Sequence, residues 1–192
     1  TQETVHVVAL ANMTQEGVSF ALPSAGEDKT TYLKKLVYKI SDAWPAVSKG
    51  TDGFRPFPMW GELKAPVTAS MEMNLLRALA RVNLTIADGQ NFKMSAIQVY
   101  NSRQGGYCSP IGDVVATLGN VNTPSIPASG AEKLSTPLSY EMADSEDTIR
   151  SYKNEIYVPE ATVADGFYLK VFGTIDGISK FYKVEFKKDG SQ

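Results

Sequence analysis

Residues 76–86, with the sequence LRALARVNLTI, carry the clearest structural pattern in the chain. Apolar side chains occupy every second position, which is the period of a β-strand that buries one face. A helix would scatter the same side chains around its circumference. The row that we expect to form a wall of the core consists of Leu76, Ala78, Ala80, Val82, Leu84 and Ile86. An aspartate at Ala80 or Val82 is therefore expected to cost several kcal/mol of stability.

The segment after this row predicts a partner strand. Asp88-Gly89 has the composition of a turn, and Phe92 to Tyr100 is rich in apolar and β-branched residues. Because a short turn between two strand-like segments favours a hairpin, we expect residues 76–86 and 92–100 to form a long antiparallel pair.

A second hairpin is predicted near the end of the sequence, within Phe167–Lys187. Asp176-Gly177 is the dipeptide preferred in a two-residue type I′ turn. Folding about this turn predicts the pairs Ile175–Ile178, Val171–Tyr182, Leu169–Val184 and Phe167–Phe186, all on one face. The agreement between the turn and the face pattern supports this register.

The N-terminal part predicts one strand and the single helix of the chain. Val5 to Ala11 is short, apolar and β-branched, which indicates a buried strand. Between Thr30 and Ile40, apolar residues recur at the spacing of one helical face. They are Leu33, Leu36, Val37 and Ile40.

The region Ala43–Pro66 is rich in proline and glycine, so we expect a loop or edge structure. It contains both tryptophans, Trp44 and Trp60. Two tryptophans in loops could stack on sugar rings, but such residues more often close the end of a sandwich core. Both interpretations stay open at this stage.

Composition excludes several kinds of chemistry. The 192 residues carry a net charge of −2, which gives no electrostatic reason to expect nucleic-acid binding. Cys108 is the single cysteine, so a disulfide within the chain and a thiolate metal cluster are excluded, and because His6 is the single histidine we expect neither a zinc site built on histidine nor a triad that uses it. His6 lies in the first predicted strand, where packing or water would satisfy it. We expect no catalytic residue, metal ion, cofactor or membrane-spanning segment.

Asp and Glu residues suggest two other kinds of site, a calcium loop and a glycoside-hydrolase carboxylate pair, and the sequence supports both weakly. The acidic segment Glu141–Asp147 lacks the glycine and terminal glutamate of a calcium loop, and indicates a solvated loop. A carboxylate pair for glycoside hydrolysis could lie on the loops, but no motif supports it.

Residues 101–139 are rich in Gly, Ser, Thr, Asn and Pro, which is typical of linkers and long loops. We place a domain boundary there and predict two domains, residues 1–108 and 109–192.

Six segments in order resemble the fimbrillin family of Bacteroidia, the FimA-like major and accessory fimbrial subunits. They are Val7–Asn12, Phe57–Gly61, Leu76–Val82, Phe92–Asn101, Ile156–Glu160 and Phe167–Phe186. The resemblance implies an all-β fold of two transthyretin-like β-sandwich domains with one short helix. Because the sequence starts almost directly at the first of these segments, the first domain is expected to lack the family's earlier strands.

The resemblance also implies a function. Members of the fimbrillin family are exported through the outer membrane as lipoprotein precursors, processed after an arginine at the cell surface, and polymerised by strand donation. The expected partners are other fimbrial subunits and host or bacterial surface ligands. The row Leu76–Ile86 would then be a candidate border of the strand-exchange groove. The alternative function is a surface glycan-binding lipoprotein that uses Trp44 and Trp60.

Overall fold

The structure is a computed structural model that describes residues 3–14, 17–44, 55–111, 132–141 and 151–186. The fold is all-β, with several antiparallel sheets and one short helix, as the sequence predicts. The helix α1 spans Lys29–Leu33. The strands are β1 (Thr4–Ala11), β2 (Val18–Ser19), β3 (Val37–Lys39), β4 (Met59–Pro66), β5 (Leu76–Arg77), β6 (Ala80–Thr85), β7 (Phe92–Tyr100), β8 (Gly105–Tyr107), β9 (Leu138–Glu141), β10 (Ser151–Val158), β11 (Tyr168–Ile175) and β12 (Ile178–Glu185).

The described strands form four sheets, with the orders β1-β4-β5, β2-β3-β8, β10-β6 and β12-β11-β7-β9. Buried side chains from these sheets join in one hydrophobic cluster, which includes Tyr38, Ile97, Ile156 and Leu169. Two of the sheets combine strands from both sides of residue 108, because β6 pairs with β10 and β7 pairs with β11. The division into two domains at that residue stays a prediction.

The C-terminal hairpin has the predicted register. Ile175 pairs with Ile178, Val171 with Tyr182 and Leu169 with Val184. Asp176 and Gly177 have φ values of 50° and 79°, as a type I′ turn requires. Leu169 and Val171 on β11 are buried, whereas β12 lies at the sheet edge and exposes most of its residues.

The prediction for residues 76–86 is wrong in two respects. The segment is split into β5 and β6, because a bend at Ala78 and Leu79 redirects the chain and buries Leu79. The strand β6 then pairs with β10, while β7 pairs with β11 and β9 in another sheet. The turn at Asp88-Gly89 therefore connects two sheets instead of closing a hairpin.

The predicted wall is also less buried than expected. Val82, Leu84 and Ile86 are partly buried and pack against the core, whereas Ala80 is exposed. An aspartate at Ala80 can therefore remain in water, and the large destabilisation expected for that substitution is not supported.

The predicted helix is shorter than its apolar spacing suggests. It ends at Leu33, and Val37–Lys39 is the strand β3. Leu36, Tyr38 and Ile40 are all buried at alternate positions, so this part of the segment follows the period of a strand.

The expected loop or edge structure within Ala43–Pro66 is wrong for its last part. Met59–Pro66 forms β4, the central strand of the sheet β1-β4-β5. Pro58 precedes this strand and Pro66 is its last residue, so neither interrupts its middle.

Candidate functional site

An open groove, here called the β1 groove, runs along β1 at one side of the sheet β1-β4-β5. Among the described residues, β4 is the only strand that pairs with β1, so the other backbone edge of β1 has no strand partner there. The groove has a volume of about 740 Å³. Its lining residues on β1 are His6, Val8 and Leu10, which alternate along the strand and therefore share one face.

The opposite wall of the β1 groove is mainly apolar. Phe20, Leu22 and Pro23 come from the segment after β2, and Tyr32 and Leu33 come from α1. Leu33 is fully buried, whereas Leu22 is 80% exposed at the rim. The groove thus combines a buried floor with an exposed apolar edge, which is the arrangement of a surface that another chain can cover.

Helix α1 is fixed in place by two local hydrogen bonds. The Asp28 carboxylate accepts from the backbone N–H of Thr31 at 2.8 Å, which caps the helix and lowers the pKa of Asp28. The Tyr32 hydroxyl donates to the carbonyl of Ala21 at 2.9 Å and ties the helix to the segment that leads to Leu22.

A buried carboxylate lies beneath the polar end of the β1 groove. Glu62 on β4 is 6% exposed, and its Oε1 accepts a hydrogen bond from Lys29 Nζ at 2.7 Å. The same oxygen contacts Nε2 of His6. At His6 we expected a strand residue satisfied by packing or water. No sequence pattern indicates its contact with Glu62, because the two residues are 56 positions apart in the chain.

A second cavity, here called the Trp60 cavity, lies at the β5 edge of the sheet β1-β4-β5 and the β8 edge of the sheet β2-β3-β8. It has a volume of about 520 Å³. Its lining residues are Met59, Trp60, Leu75, Leu76, Arg77, Ala78, Leu79, Arg81, Tyr107, Cys108, Ser109, Pro110 and Glu160.

Two residues of this lining, Trp60 and Ser109, each have a polar atom that is closed to solvent and has no hydrogen-bond partner among the described residues. They are Nε1 of Trp60 and Oγ of Ser109. Desolvation raises the pKa of the Glu160 carboxyl, although that residue as a whole is exposed. Burial raises the pKa of the Cys108 thiol to about 12, so this cysteine is protonated at neutral pH and is a poor nucleophile.

The structure places both tryptophans inside the protein. Trp44 and Trp60 are each 1% exposed, so neither ring presents a face to a sugar. The indole N–H of Trp44 donates to the carbonyl of Arg55 at 2.8 Å, and its ring stacks on Phe57. This burial removes the exposed surface on which the glycan-stacking interpretation depends.

The other predicted site residues are divided between two places. Leu76 and Ala78 line the Trp60 cavity together with Trp60 itself. Val82, Leu84 and Ile86 pack on the core from β6. None of the row lines the β1 groove. Its role as the border of a strand-exchange groove stays a prediction.

Two further kinds of feature are absent from the described residues. No cluster of three His, Cys, Asp or Glu side chains suited to a metal ion is present among them, and Asp144, Glu146 and Asp147 lie outside the described residues. Within the same ranges, no helix has the length and apolar composition needed to cross a bilayer.

Comparison with known proteins adds no family to this description. No protein-family model matches the chain, and no curated protein or solved structure shows significant similarity to it.

Proposed function

We propose that the chain is a structural or adhesive subunit of a cell-surface fimbrium that polymerises by donor-strand complementation after proteolytic processing. The observation that carries this proposal is the β1 groove. An extended segment of a neighbouring subunit pairs with the open edge of β1 and places alternate side chains in the groove. This addition supplies both missing ladder hydrogen bonds and apolar contacts for Leu22 and Phe20.

The dimensions and polarity of the groove suit an extended peptide. The strand β1 has eight residues, and at about 3.3 Å per residue it offers an edge of roughly 26 Å. Its inward side chains alternate with outward ones, so a paired segment of matching polarity would be held in one register. A strand edge of this length, with no strand partner in the described part of the chain, also favours association, since proteins usually cover or charge such edges.

The resemblance to fimbrillins supports the wider setting of the proposal. In that setting the precursor is a lipoprotein that is exported through the outer membrane, and a surface protease removes a segment before assembly. The partners are other fimbrial subunits, together with host or bacterial surface ligands for an adhesive role. We do not propose glycan binding by Trp44 and Trp60, because both rings are buried.

The test is a gel of material sheared from the surface of cells that express the protein, run in SDS without boiling and blotted for this chain. Polymers held by exchanged strands are expected to give a ladder that collapses to the monomer on boiling. The variants Val8→Asp and Leu22→Asp should lose the ladder, because each places a charge on the apolar surface of the groove.

The matched control is Val7→Asp. Val7 neighbours Val8 on β1, is 38% exposed and faces the opposite side of the sheet. Its aspartate variant should keep the ladder. Thermal unfolding of all three purified variants separates loss of assembly from loss of folding. A ladder that persists in folded Val8→Asp and Leu22→Asp proteins would contradict the proposal.

A further inference from the structure

We propose that the edge strand β12 binds a second copy of this chain, and that the two copies form a symmetric dimer by antiparallel pairing of β12 with β12. This strand lies at one end of the sheet β12-β11-β7-β9, whereas β1 belongs to a different sheet. No residue of β12 lines the β1 groove. The dimer is therefore compatible with strand exchange along β1 and does not depend on it.

The outer backbone edge of β12 is regular enough to pair with another strand. Its eight residues pair with β11 without a bulge, and the strand contains no proline. Because the type I′ turn joins Ile175 and Ile178 by a hydrogen bond, the backbone groups of Ser179, Phe181 and Lys183 point away from β11. Among the described residues, no other strand pairs with β12. A second copy can therefore extend the sheet at this edge.

Large apolar side chains are exposed along this edge. The exposed fractions are 61% for Ile178, 59% for Phe181, 51% for Tyr182 and 43% for Phe186, which directly follows β12. Proteins usually protect a long apolar edge with prolines, bulges or a covering segment, because such an edge associates with other strands. The exposure of these four side chains on one strand edge thus indicates a contact surface.

Two of the aromatic rings are already positioned within the single chain. Tyr182 packs perpendicular to Phe92, with ring centroids 5.0 Å apart, and Phe186 contacts Phe167 at the same distance. Side chains that are already ordered lose less conformational entropy when a partner binds. These rings therefore favour association at β12.

Symmetry and charge select one register for the pairing. A two-fold axis at Tyr182 gives every residue of β12 an opposite residue in the second copy. The resulting pairs are Tyr182 with itself, Phe181 with Lys183, Lys180 with Val184, Ser179 with Glu185 and Ile178 with Phe186. An axis at Lys180 or Lys183 would place that lysine opposite its own copy, which is destabilising. An axis at any other residue leaves part of β12 unpaired.

The pairs of this register are chemically complementary, which favours a second copy over an unrelated partner. The Ser179 hydroxyl can donate to the Glu185 carboxylate across the interface. Lys183 lies opposite the Phe181 ring, and the same ammonium already lies 4.5 Å from the centroid of Tyr168. Its charge is also offset by a contact with Glu185 of its own chain.

Sedimentation of the purified full chain over a range of concentrations measures the dimer. We expect a reversible species with twice the chain mass of 20.9 kDa. The Val8→Asp protein should form the same dimer, because Val8 lies in the β1 groove and not at β12. A chain that stays monomeric at millimolar concentration would overturn the proposal, whatever the SDS ladder shows.

Charge variants test the complementarity of the register. Ser179→Glu places like charges at both Ser179–Glu185 pairs and should weaken the dimer roughly tenfold. Adding Glu185→Lys should restore it, because each pair then joins opposite charges. Ser139→Glu is the matched control, since Ser139 is also exposed but lies on β9 at the other end of the sheet. Equal weakening in Ser179→Glu and Ser139→Glu, or no restoration by Glu185→Lys, would refute the β12 pairing.

Disulfide cross-linking locates the axis. The backbone groups of Tyr182 point toward β11, so its two copies form a non-hydrogen-bonded pair with Cα atoms about 4.5 Å apart, within disulfide range. Tyr182→Cys should give a covalent dimer on mild oxidation. Lys180→Cys, exposed on the same strand, should not, because its two copies lie roughly 13 Å apart. Cys108 is 1% exposed and common to both variants. Equally fast cross-linking of the two variants would exclude this register and the proposal with it.

Discussion

The β1 groove and the Trp60 cavity lie at two edges of the same sheets, yet they differ in the backbone that borders them. The groove follows an eight-residue strand, whereas the cavity is bordered by a two-residue strand and a bend. Their polar groups differ as well. The lining of the groove includes Glu27 and Lys29, whereas the lining of the cavity includes Arg77, Arg81 and Glu160.

The length of an open strand edge decides what that edge can bind. A long edge with an alternating apolar row provides repeated backbone hydrogen bonds, and so it favours an extended chain. A broken edge provides none in series.

The largest expected effect is a difference in the free energy of unfolding between substitutions at the floor and at the rim of the β1 groove. Leu33 is fully buried on α1, so Leu33→Ala should lower the free energy of unfolding by about 2–5 kcal/mol. Leu22→Ala, at the 80% exposed rim, should change it by less than about 0.5 kcal/mol. Urea unfolding of both variants measures this contrast, and similar losses in the two would show that the rim is also buried.

The next prediction tests the buried carboxylate of the groove. Lys29→Met leaves Glu62, with 4% of its side chain exposed, without its ammonium partner. We expect a loss of about 1–3 kcal/mol, because a buried carboxylate then lacks a charged donor. Lys34→Met, in an exposed position at the end of the same helix, is the control. Equal unfolding midpoints for the two variants would argue against a structural role of the Lys29–Glu62 pair.

A smaller, pH-dependent effect is expected at the Trp60 cavity. Desolvation raises the pKa of Glu160 above its ordinary value of 4.5, so the folded state binds this proton more tightly than the unfolded state does. The contribution of Glu160 to stability therefore falls as the pH rises from 4.5 through the raised pKa.

Glu160→Gln removes this dependence. The variant should be slightly more stable than the wild type at pH 7, and the two should converge below the ordinary carboxyl pKa. Thermal unfolding at a series of pH values measures the difference. A difference that is the same at every pH would exclude the titration of Glu160 as its cause.

The smallest effect is expected on β6, just beyond the cavity. Ala80 is exposed, so Ala80→Asp should change stability by no more than about 0.5 kcal/mol. Val82→Asp should cost more, because Val82 packs against the core. Equal and large losses in the two variants would restore the fully buried wall that the sequence predicted.

The sequence predicted those elements whose partners are close in the chain. The hairpin at Asp176-Gly177 is correct because its turn fixes the register of the flanking strands. The strand Phe92–Tyr100 also has the predicted bounds. The same reasoning failed at Asp88-Gly89, where the turn is present but β6 pairs with β10, about 70 residues further along the chain. A local pattern predicts a strand but not a distant partner.

The candidate sites were harder to predict for a related reason. The β1 groove depends on the approach of Leu22 and Leu33 to Val8, and the Trp60 cavity depends on the approach of Ser109 to Trp60. These contacts are tertiary, so no periodicity or motif reports them. The alternation of His6, Val8 and Leu10 was visible as a strand, but an alternating row does not reveal whether the strand has one or two neighbours, and β1 has one among the described residues.

The most direct test of the central role of β1 is hydrogen–deuterium exchange of its backbone amides in monomeric and polymeric protein. Within Thr4–Ala11, we expect the amides that point away from β4 to exchange quickly in the monomer and to become strongly protected in the polymer, because a donated strand pairs with them. Peptides covering β11, which already has strand partners on both sides, should exchange equally in both forms. A polymer in which the Thr4–Ala11 peptides exchange as fast as in the monomer would contradict the account.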